Sequence, residues 1–168
     1  MASDVNNNDI GSSFKLFVNS NKLDGKDKIY YLQKLDLCQM DCPYLFPPAL
    51  WQRGVATLEP ILPKITEREL LIYLCERRSE DTGQCLKAHK TMRDAELYVK
   101  NGWVSSLAAI QLRNGNVVAT ASVHHSQSLS KKPLTPWVTV GTDKLVVAGH
   151  CQCTAGYVTD NSTLCKII

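Results

Sequence analysis

The residues with the best-defined chemistry are His150-Cys151-Gln152-Cys153 and, after eleven intervening residues, Cys165. Two cysteines one residue apart at the end of an expected strand send both thiols to the same face, because the side-chain period of a strand is two. A third thiol returns after a loop. Three sulfurs converging in this way suit Zn2+, which takes soft thiolate or imidazole donors in tetrahedral geometry. The expected metal ligands are therefore Cys151, Cys153 and Cys165, and the expected cofactor is Zn2+. A fourth donor is not supplied by the same pattern. His150 faces away from Cys151 on a regular strand, His124 or His125 could approach from a neighbouring strand, and water fills the open position in catalytic zinc sites.

The remaining reactive side chains read as ordinary structure. Cys38 and Cys42 are expected to be small buried thiols beside a proline turn, as unpaired cysteines commonly are. Cys75 on a helix, Cys85 in a polar loop and His89 among lysines receive no role. His124-His125 would need an orienting group and an oxyanion site to serve a cysteine nucleophile, and no motif supplies them. One histidine is expected to face the sheet and the other solvent. Acidic residues are sparse after Glu96, where only Asp143 and Asp160 remain. The clustered carboxylates of a two-metal nuclease are missing from that stretch. No catalytic residue and no small-molecule substrate are inferred.

The elements that must position the thiols are legible from pattern. Lys26–Leu37 reads as a helix with Ile29, Leu32 and Leu35 on its apolar side. Pro43-Tyr44-Leu45-Phe46-Pro47-Pro48 reads as an extended arm that packs Tyr44, Phe46 and Trp51 elsewhere. Thr66 and Glu69 form a capping box, with Ile65 stapled to Leu70, for a helix running to about Cys75. A further helix is expected from about Leu86 to Asn101, with Ala88, Met92, Ala95 and Val99 on one face and Gly102 as its cap. From Trp103 onward the texture changes to strand. Val104–Leu112 and Val117–His124 flank the Asn114-Gly115 hairpin turn, and Trp137–Val140 and Leu145–Cys151 flank a second turn. Trp103 and Trp137 are expected to pack this sheet against the Leu86–Asn101 helix.

The fold class is therefore α+β: a helical N-terminal region, then antiparallel β hairpins. Residues 1–25 are expected to form a disordered tail, 26–102 the helical region, and 103–168 the sheet with an incomplete zinc-binding element at about 136–168. The chain of 168 residues has 44% hydrophobic and 21% charged residues, ordinary for a globular protein. The net charge is +3. Residues 1–100 carry 14 Lys and Arg against 14 Asp and Glu, and residues 101–168 carry 5 against 2. That bias is far below a nucleic-acid footprint, and Lys131-Lys132 reads as solvated surface. No run approaches the ~20 apolar residues of a membrane span, and no signal peptide is visible. Seven cysteines without regular spacing point to a reducing compartment, hence an intracellular, nuclear or cytoplasmic protein.

The ordered series Cys42-Pro43-Tyr44-Leu45-Phe46-Pro47, Leu86-Lys87-Ala88-His89-Lys90, Asn101-Gly102-Trp103-Val104, Val123-His124-His125-Ser126-Gln127, Pro133-Leu134-Thr135-Pro136-Trp137-Val138 and Ala148-Gly149-His150-Cys151-Gln152-Cys153-Thr154-Ala155-Gly156 resembles a group of animal SWIM-type zinc finger proteins related to mobile elements. The resemblance covers about residues 28–157. The SWIM signature is C-x-C, a variable spacer, then C-x-H. It implies zinc binding in a non-catalytic module that recognises DNA or a protein partner. Relatives are often joined to a YqaJ-type viral recombinase, so a piece of such an exonuclease lacking its catalytic part is the alternative, and a relic without metal a third reading. Ile167 stands where the signature has histidine, and its aliphatic side chain has no lone pair to donate. The segment Tyr157–Ile168 is expected to be foreign to the motif.

Overall fold

The computed structural model describes residues 25–76, 89–124 and 132–151. The expected N-terminal tail, His125, Cys153 and Cys165 lie outside the described residues. Helix α1 spans Gly25–Cys38, and two 3-10 turns, Pro43–Leu45 and Pro48–Leu50, lead to the two-residue strand β1, Gln52–Arg53. Helix α2 (Val55–Leu58) and helix α3 (Glu67–Leu71) follow, the latter running into a π-helical turn, Ile72–Glu76. Helix α4 (His89–Lys100) precedes strands β2 (Val104–Gln111), β3 (Val117–Val123), β4 (Trp137–Val140) and β5 (Val146–His150). The protein is α+β, with all five strands in one antiparallel sheet of order β1-β2-β3-β4-β5.

Strands β2 and β3, and strands β4 and β5, pair as hairpins because the turns between them are short and chemically specified; β1–β2 and β3–β4 are joined by longer connections. At the first hairpin Gly115 takes φ +86°, a left-handed value that glycine adopts at no steric cost. The Asn114 side chain accepts from the Asn116 N–H at 3.1 Å, and the Leu112 N–H donates to the Asn116 carbonyl at 2.8 Å. At the second hairpin the Asp143 carboxylate accepts from the Leu145 N–H at 3.0 Å. Strand β2 is less regular than its sequence suggests. Its register with β3 shifts between Ser105 and Ala108, where Ser106 sits at φ +54°. This is a β-bulge, which adds local twist.

Register decides which residues share a face. Thr120 lies opposite Trp137 and Trp137 opposite His150, while Val118 lies opposite Thr139 and Thr139 opposite Ala148. Helix α1 covers this face. Tyr31, Leu35 and Cys38, at helical spacing i, i+4 and i+7, cluster with Cys42, Val118, Trp137 and Ala148. The opposite face carries Val117, Val138, Val140 and Val146. Leu58 with Ile61 and Leu62 covers one end of it, and Tyr73 with Ile65 and Leu70 the other. The sheet is thus packed on both faces, each large apolar side chain contributing about 1.5–3 kcal/mol when fully buried.

Several helical expectations are corrected by this packing. Ile29 and Leu32 are 57% and 40% exposed, and the inward stripe of α1 runs through Tyr31 instead. The prolines of 43–48 start 3-10 turns rather than an extended arm, since a first-turn proline needs no N–H partner. Helix α1 packs Trp137. On α4 Val99 is 64% exposed, while Tyr98 is half-buried and meets Trp103 edge-on at 4.9 Å. The capping box holds: the Thr66 N–H donates to Glu69 Oε2 at 2.7 Å, and the Thr66 hydroxyl donates to the same oxygen. The Thr66 hydroxyl, then its N–H, lowers the Glu69 carboxyl below the usual carboxylate range. Gly102 closes α4 at φ +69°, its N–H donating to Val99 and that of Trp103 to Tyr98, which is a Schellman closure.

Candidate metal centre

Cys151 immediately follows β5 and is 2% exposed. It is held there by the pairing of Val146–His150 with β4, which fixes the last strand as one edge of the sheet. Cys151 is not disulfide-bonded, and neither are Cys38 and Cys42. A buried thiol at a strand end, with Cys153 two positions later in sequence, is the donor chemistry a zinc ion takes. Of the three expected ligands, Cys151 is the one the described residues include. No group of three or more His, Cys, Asp or Glu side chains placed to hold a metal ion occurs among the described residues.

His150 belongs to a different environment from the one expected of a donor. Its ring lies 4.6 Å from the Tyr31 ring, edge-on, and 6.1 Å and 6.2 Å from those of Tyr44 and Trp137. It is therefore turned toward α1, on the face opposite the one alternation gives to Cys151. His124 is also displaced. The register makes Pro136 the position opposite Cys151, and Ala121 the one opposite Pro136. His124 is three residues beyond Ala121, so its Cα lies about 10 Å along the strands and about 10 Å across them from Cys151. That diagonal of about 14 Å exceeds what a cysteine and a histidine can span through zinc bonds near 2 Å. The His124 N–H donates to the Trp103 carbonyl at 2.9 Å, which ties it to β2 instead.

The cluster that surrounds His150 was not legible as a unit in the sequence. The Tyr31 hydroxyl and the Cys42 thiol are 3.0 Å apart and buried. Burial pushes the Cys42 thiol above its ordinary value, and the hydrogen bond from Tyr31 only partly opposes this. Burial, reinforced by the nearby Cys42, likewise pushes the Tyr31 hydroxyl well above its ordinary value. Burial thus favours the neutral form of both groups, and Cys42 sits packed against the Tyr31 hydroxyl. Lys34, on the same side of α1, donates to the Gly149 carbonyl at 3.1 Å. Cys38 is fully buried, and its carbonyl accepts from the Asn114 side-chain amide at 3.2 Å. Tyr31, Lys34 and the Cys38 carbonyl thus tie α1 to β4, to β5 and to the first hairpin turn.

Compared with protein-family models, curated proteins and solved structures, the chain matches none. No helix among the described residues is long and apolar enough to cross a membrane.

Proposed function

We propose that this chain is a zinc-binding, non-catalytic module of the SWIM type, in which Cys151, Cys153 and Cys165 hold one Zn2+ as thiolates. The observation that carries the reading is the buried Cys151 thiol at the end of the edge strand β5, two positions before the second cysteine of the C-x-C pair. His150 and His124 are placed away from that thiol, so the reading uses no histidine from these strands. The fourth position is left to a donor outside the described residues, His125 among them, or to a water. The ion acts structurally, tying the last strand to the segment that follows, because ligation supplies folding free energy in small metal-bound elements. Thiolates must stay reduced to ligate, which places the chain in the nucleus or cytoplasm.

The partner is DNA or a protein, a role carried by the SWIM resemblance and not by the modest basic balance of residues 101–168. The test is binding of the zinc-loaded full chain to duplex DNA over a salt series. Affinity that falls linearly on a log–log plot as salt rises, and disappears with a chelator, supports DNA as the partner. No binding to DNA at low salt removes DNA as the partner and leaves a protein. Zinc-dependent cleavage of the DNA at stoichiometric metal overturns the non-catalytic reading.

A further inference from the structure

We draw no further inference here: the strongest candidate, the outward apolar surface of helix α1 with Ile29, Leu32 and Leu37 exposed, carries nothing because nothing among the described residues shows what covers it.

Discussion

Replacing Tyr31 with phenylalanine removes one oxygen and leaves the rest of what α1 brings to the sheet. The tyrosine is 2% exposed, and its ring lies 6.2 Å from Trp137 and 4.6 Å from His150. The lost hydroxyl is paired with the Cys42 thiol, a weak hydrogen-bonding group that is left buried at little cost. The loss should be about 1 kcal/mol, the net value of one buried hydrogen bond. That is a fall of about 2–4 °C in Tm for a chain of this size. Tyr31→Ala also removes the ring, leaving a cavity between α1 and β4, and should cost about 3–5 kcal/mol. Urea titrations followed by tryptophan fluorescence measure both, since Trp137 sits at the altered contact. The ratio carries the argument more than either value, because it separates the hydroxyl from the packing. A Tyr31→Ala chain within about 1 kcal/mol of the parent would refute the packing of α1 on this face. So would a phenylalanine chain as damaged as the alanine one.

Two further perturbations test the same region. The Cys42 thiol is held above its ordinary value near 9.0, so folding favours its neutral form. The associated stability is complete below that value and is lost as pH rises through the higher folded value. Unfolding free energy measured from pH 7 to pH 11 should therefore decline above about pH 9, Tyr31 adding to the decline with the same sign. Cys42→Ala should flatten the first part of that limb, and an unaltered slope would remove Cys42 as its source. The end of α1 is closed by Gln39 at φ +51°, with Met40 donating to Leu35 and Gln39 to Asp36. A left-handed non-glycine residue costs about 1–2 kcal/mol, partly offset by the backbone freedom glycine gains on unfolding. Gln39→Gly should raise stability by about 0.5–1 kcal/mol in the same urea assay, and a loss of stability would contradict the Schellman closure of this helix.

The sheet was legible because its signals are local. Asn114-Gly115 specifies a hairpin, and the β-branched runs on either side of both turns fix β2 to β5 to within a residue or two. The Thr66–Glu69 box and the Gly102 cap are local in the same sense. Helix α1 shows where that legibility stops. Ile29 and Leu32 are the more hydrophobic residues, yet Tyr31, Leu35 and Cys38 face inward, because the cavity to be filled is lined by Trp137 and His150 more than a hundred residues away. Period-two alternation gives His150 and Cys151 opposite faces. It could not reveal that the imidazole would be enclosed by Tyr31 and Tyr44. Nor could eleven residues of separation reveal the bond between Tyr31 and Cys42. The displacement of His124 from Cys151 needed the register of three strands, which no single stretch of sequence encodes. The bulge at Ser106 interrupts a strand whose residues read as continuous.

The most direct measurement is the metal content of the purified full chain prepared under reducing conditions, by elemental analysis beside a urea titration. The account predicts about one equivalent of zinc, lost when Cys151 and Cys153 are both replaced by serine, while the core built on Tyr31 and Trp137 still unfolds cooperatively. A metal-free chain that is fully folded and gains no stability from added zinc would contradict it.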